Sequence, residues 1–269
     1  MTTNNLSRNV LALALLASSF AMPAKAQEED KALTLSGSAT LVSDYRWRGY
    51  SLSNKGWAIQ GSLQLDHKSG LFIGTWASSI APVGQSQVCI SPLETGGDTT
   101  LCSLVGGSTV EVDFFGGWSG TIGPIDVTGG LLAYLYPGAD GLNYFEFYGT
   151  AGYTIGTLAL TAGLNWAPNQ GNLSSSNRYL FGSAAFTIPD TPITIKGTIG
   201  QERGSVVVDL TGQTTSKFDW LIGVDIAGSV VGLDPLTIGF AYSGNNLPDR
   251  DGFNSYATSG FIFSIGASF

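Results

Sequence analysis

Phe218-Asp219-Trp220-Leu221-Ile222-Gly223-Val224-Asp225-Ile226 sets Phe218, Trp220, Ile222, Val224 and Ile226 on one parity and Asp219, Gly223 and Asp225 on the other. Successive side chains of a strand point to opposite faces, so alternation at period two marks a ribbon with one apolar and one polar side. The same contrast recurs elsewhere. Ile193, Ile195 and Ile199 alternate with Thr194, Lys196, Thr198 and Glu202, while Val110, Val112, Phe114 and Trp118 oppose Glu111 and Asp113. Near the start, Leu33, Leu35, Ala39 and Leu41 oppose Thr34, Ser36, Ser38 and Thr40.

Followed along the chain, this rhythm predicts twelve strands: 33–47, 55–66, 70–79, 109–118, 125–135, 142–153, 157–166, 178–188, 192–203, 215–227, 234–243 and 259–269. Most hold about the 9–11 residues that a tilted strand needs to cross hydrocarbon; strands of soluble domains are nearer 5 or 6. The intervening turns 67–69, 119–124, 154–156, 189–191 and 228–233 are short, and they alternate with the mostly longer 48–54, 80–108, 136–141, 167–177, 204–214 and 244–258. Short turns on one side, longer loops on the other and an even strand number are the wiring of a closed antiparallel transmembrane β-barrel. Closure is a physical requirement, because an open sheet edge in lipid leaves unpaired N–H and C=O groups. Tyr45, Trp47, Trp57, Trp118 and Trp166 fall near strand ends on the apolar parity, where amphipathic rings form interfacial girdles.

Composition narrows the class. Only 12% of residues are charged, with Gly at 37 and a mean hydropathy of +0.18; a soluble domain usually carries about a quarter charged residues. The first 26 residues have the form of an export signal: Arg8, an apolar run from Val10 to Ala21, then Ala24-Lys25-Ala26, with cleavage expected after Ala26. The apolar run is too short for a membrane-spanning helix, which needs roughly 20 residues. Residues 27–269 are then the barrel, with 10 basic and 20 acidic side chains, a balance that argues against nucleic acid as a partner. Phe261, Phe263, Ile265, Ala267 and Phe269 alternate up to the carboxyl end. A terminal aromatic after alternate apolar residues resembles the signal read by the bacterial barrel-assembly machinery, with Phe263, Ile265 and Phe269 as its expected carriers.

The first hairpin carries a family resemblance. Ser43-Asp44-Tyr45-Arg46-Trp47-Arg48-Gly49, Ala58-Ile59-Gln60-Gly61-Ser62 and His67-Lys68-Ser69-Gly70-Leu71-Phe72-Ile73-Gly74-Thr75-Trp76 together resemble the TorF family of Gram-negative porins. The resemblance covers roughly residues 36–79 and implies an outer-membrane barrel.

Parity assigns the candidate lumen residues. Asp44, Arg46 and Arg48 share the face of Thr34 to Thr40, leaving Tyr45 and Trp47 toward lipid. Asp66, Glu111, Asp113, Asp126, Glu146, Glu202, Asp219 and Asp225 fall on polar faces, with Lys196 as counter-charge. Two arginines on one wall facing an acidic remainder would set a transverse field for small polar or charged solutes, with cations preferred. Alternatively, these groups pair with one another in a sealed interior, as buried charges normally do. A twelve-stranded ring exceeds the eight-stranded kind that side chains fill, which favours a bore.

Cys89 and Cys102 sit in the longest loop and are positioned to pair after export. No catalytic residue, metal site or cofactor is expected. A lipid-modifying enzyme using a Ser–His pair would need a histidine at the outer rim, and the one histidine, His67, lies in a short turn on the other side. A non-conducting adhesion barrel with partner-binding outer loops stays open as an alternative. The expected partners are outer-membrane lipid and small solutes; the sequence leaves the oligomeric state open, with a monomer favoured over a trimer.

Overall fold

The computed structural model describes residues 32–90, 101–207, 214–248 and 255–269. The expected export segment lies outside these residues, as do parts of three of the longer loops. Among the described residues the strands are β1 (Leu33–Val42), β2 (Arg46–Trp47), β3 (Tyr50–Ser51), β4 (Ala58–His67), β5 (Leu71–Val83), β6 (Ser86–Ile90), β7 (Leu101–Val105), β8 (Ser108–Ile122), β9 (Ile125–Leu135), β10 (Tyr144–Ile155), β11 (Leu158–Ala167), β12 (Asn177–Thr187), β13 (Ile193–Gly204), β14 (Ser216–Ala227), β15 (Leu236–Asn245) and β16 (Gly260–Ser268).

Twelve of them close into a barrel in the order β1-β16-β15-β14-β13-β12-β11-β10-β9-β8-β5-β4, every neighbour antiparallel. The ring shuts where Ser38–Val42 of β1 meet Ser264–Ser268 of β16. Reciprocal backbone hydrogen bonds of 3.0 Å between Gly37 and Phe269 extend that seam to the last residue. No described helix is long and apolar enough to cross a membrane.

The two faces follow the alternation. Ile59, Ile73, Ile199, Ile222 and Phe261 are among the large apolar side chains exposed on the outside, Phe261 at 83%. The opposite parity turns Gln60, Gln64, Glu111, Asp113, Glu146, Glu202 and Asp219 into the interior, where all are buried. This is a globular protein turned inside out: its apolar side chains face outward in a continuous belt, and such a belt is stable only against hydrocarbon. Trp57, Trp118 and Trp166 are exposed on that surface.

Two expectations need correction. The strand drawn over 33–47 stops at Val42. The Ser43 hydroxyl accepts the Phe263 N–H at 2.8 Å, in place of a strand carbonyl, and the ladder to β16 ends there. The chain then turns into the barrel as a small hairpin, β2–β3, closed by Arg48 and Gly49 at positive φ of 47° and 80°, the backbone a two-residue hairpin turn requires. Tyr45 and Trp47 therefore do not face lipid; both are buried in the interior. The second correction concerns 80–108, expected as one loop. β5 continues to Val83, and β6 pairs with β7 as a separate two-stranded sheet in which Cys89 and Cys102 are register partners joined by a disulfide.

Candidate functional site in the barrel lumen

The lumen differs between its two ends. Toward the short turns lie Asp66, Asp126, Lys196 and Asp225, all part-exposed. Lys196 Nζ bridges both oxygens of Asp225 at 2.7 and 2.6 Å, and Gln64 Nε2 donates to Asp66 Oδ1 at 2.8 Å. The Lys196–Asp225 pair keeps 18% and 17% of its side-chain surface exposed, so solvent screens it in part.

Toward the longer connections the interior is occupied by the β2–β3 hairpin of segment 43–57. Asp44, Tyr45, Arg46, Arg48, Tyr50 and Ser51 of this segment are all under 5% exposed. Arg48 reaches across the interior. Its Nη2 donates to Glu146 Oε2 of β10 at 2.5 Å, and its Nη1 to Glu202 Oε1 of β13 at 2.6 Å. The same guanidinium lies over the rings of Trp47 and Tyr179 at 4.3 and 4.4 Å, so its flat faces and its edge are both engaged. Arg46 does something different. Its Nε donates to Asp44 Oδ2 at 2.6 Å and its Nη1 to the Thr258 carbonyl at 2.5 Å, so this pair ties the segment to itself and to the neighbouring loop. The expected two-arginine wall is thus one arginine spanning the lumen and one bracing the turn.

Lys217, which parity reasoning passed over, completes the lattice. It shares the odd parity of Asp219 and Asp225 on β14, the signal that identifies it. Its Nζ donates to the Arg48 carbonyl at 2.5 Å and to Asp219 Oδ2 at 3.0 Å, and pairs with Glu202 Oε2 at 3.1 Å. Tyr179 donates to Asp219 at 2.9 Å, Asn177 to Glu202 at 3.1 Å, and both Tyr134 and Asn165 to Glu146 at 3.1 Å. Gly200 allows the Tyr179 ring to lie flat on the wall, since a Cβ there would overlap it. Asn245 Nδ2 holds the Gly49 carbonyl at 3.0 Å. The buried charged residues are six carboxylates (Asp44, Glu111, Asp113, Glu146, Glu202, Asp219) against three bases (Arg46, Arg48, Lys217) among the described residues.

Among the described residues no group of three or more His, Cys, Asp or Glu side chains is placed to hold a metal ion. His67 stands exposed at the end of β4, its Nδ1 2.8 Å from the Ser69 hydroxyl in the following turn.

Closed, twelve-stranded and antiparallel, with an apolar belt and a polar interior, the fold is that of outer-membrane β-barrels. It matches the NanC porin with a TM-score of 0.51 at 11% identity, covering 88% of this chain and 99% of that one. The KdgM porin matches with a TM-score of 0.52 at 7% identity, over 87% and 98% of the two chains. An outer membrane channel from Pseudomonas putida F1 matches at 0.50 with 8% identity, over 91% and 99%. No curated protein matches. Residues 26–269 match the model of a family described as "Bacterial protein of unknown function (Gcw_chp)", and the chain belongs to that family.

Proposed function

We propose that the protein is an outer-membrane porin: a passive, cofactor-free path for small polar or charged solutes, preferring cations. The observation that carries this reading is the surplus of interior carboxylates over bases, six against three buried within the lumen, with Asp66, Asp126 and Asp225 added toward the short turns. In a low-dielectric tube such a surplus favours counter-ions of the opposite sign. Segment 43–57 sets the narrowest part of the path, latched by Arg48 between Glu146 and Glu202. The TorF resemblance of the first hairpin and the expected export signal over residues 1–26 support the same reading.

One observation favours a second reading. The loop-side lumen is filled by paired, buried side chains, as it would be in a non-conducting barrel that serves as scaffold or adhesin. Planar-bilayer recording of the refolded mature chain separates the two. The porin reading predicts discrete current steps that grow in Arg48→Ala, because the segment loses its latch. A barrel that inserts and stays silent in both forms contradicts it.

A further inference from the structure

Asp113 is the anomaly of the interior. It is fully buried, yet neither of its carboxylate oxygens accepts a hydrogen bond from a described residue. The charged groups that act on it, Glu111 and Glu146, are both acidic. Every other buried carboxylate of the lumen has donors: Glu111 takes the hydroxyls of Tyr45 and Tyr136 at 2.6 Å each, Glu146 and Glu202 take Arg48, Asp219 takes Lys217 and Tyr179, and Asp44 takes Arg46 and Ser51. Buried carboxylates are expected to be paired, so one left without a donor calls for a physical reason.

The surroundings of Asp113 are aromatic. Its register partner on β5 is Trp76 and its register partner on β9 is Tyr134, so an indole and a phenol flank the carboxylate on the same lumen face. Glu111 lies two residues along β8, on the same face at about 7 Å, the repeat of a pleated strand. Over them lies Tyr45 of the inward segment, its ring 5.3 Å from Trp76 and its hydroxyl on Glu111.

We propose that Glu111 and Asp113 form a binding site for an alkylammonium group, walled by Trp76 and Tyr134 and covered in this conformation by Tyr45. The chemistry selects that class. Carboxylates supply charge and hydrogen-bond acceptors for an ammonium, and aromatic faces attract both the cation and the alkyl carbons beside it. A bare metal ion has no alkyl carbons to pack on the aromatic walls and calls for a fuller shell of oxygen ligands than two carboxylates provide. An arriving ammonium competes with the Tyr45 hydroxyl for Glu111, so occupation of the site and withdrawal of the segment are coupled. The inference deepens the porin reading by naming the class of solute, and it is testable without conduction.

The test is calorimetric titration of the full mature chain, folded in detergent, with putrescine, a four-carbon diammonium. 1,4-Butanediol is the uncharged control and Asp190→Asn, in a short turn at the other end, the surface-charge control. Expected are saturable binding of putrescine but not of the diol, a loss of tenfold or more in Asp113→Asn and in Glu111→Gln, and severalfold tighter binding in Tyr45→Phe. Asp190→Asn should bind as the parent does. Absence of saturable binding, equal affinity in Asp113→Asn, or equal binding of the diol overturns the site. Binding by a barrel that gives no current steps would uphold the site and overturn the porin reading, whereas steps without binding would do the reverse.

Discussion

Arg48 stands at φ 47°, a conformation residues other than glycine seldom adopt, and it does so at the tip of a two-residue turn. Its side chain meets two carboxylates and two aromatic rings from three barrel strands and its own segment, interactions that offset a backbone cost of order 1–3 kcal/mol. Arg48→Ala leaves Glu146 buried with only the neutral donors Tyr134 and Asn165, while Glu202 keeps Lys217 and Asn177. The expected loss is about 3–5 kcal/mol, the range for breaking a buried pair by removing one partner, read as a lower urea midpoint for the lipid-embedded barrel. Arg48→Lys should recover only part of this, because a single ammonium cannot reproduce the forked geometry; a midpoint equal to that of the parent would contradict the latch. Lys217 carries a related role through the Arg48 carbonyl and Asp219.

At the scale of elements, the alternation in β13 and β14 argues for a sharp asymmetry between adjacent positions. Ile199 faces outward and Thr198 inward near the middle of β13. Ile199→Arg should destabilise the barrel by about 2–4 kcal/mol, the cost of a cation at the bilayer midplane, while Thr198→Arg should be tolerated. Similar losses at both sites in urea unfolding would refute the assigned faces. The β6–β7 hairpin forms a sheet separate from the ring. Cys89→Ser with Cys102→Ser should therefore leave current steps unchanged and increase protease cleavage within that loop; altered steps would show that the hairpin lines the path.

These same elements show what the sequence made legible. The twelve barrel strands and the faces of Phe218, Ile222, Ile195 and Val112 were readable because lipid on one side and polar groups on the other impose strict parity. The course of 43–57 was not. Parity continues through Asp44, Arg46 and Arg48 as if the strand ran on, and the event that ends it is one serine hydroxyl accepting a backbone N–H 220 residues away. The donors for Glu111 and the orphan state of Asp113 were hidden for the same reason, since Tyr45 reaches Glu111 only once the segment has turned inward. Lys217 was readable, one step of parity from Asp219.

For the whole molecule, the decisive quantity is the sign of the interior. Carboxylates outnumber bases in the lumen at both ends, and the chain as a whole carries a formal charge of −8. On the porin reading a mobile cation would meet attraction along the way, whereas the interior bases among the described residues, Arg48, Arg46, Lys217 and Lys196, are each already held by carboxylates. The zero-current potential across a bilayer holding the refolded chain, with a tenfold potassium chloride gradient, measures this directly. The expected potential has the sign set by potassium crossing faster than chloride. A potential of the opposite sign, or no current at any voltage, would contradict it.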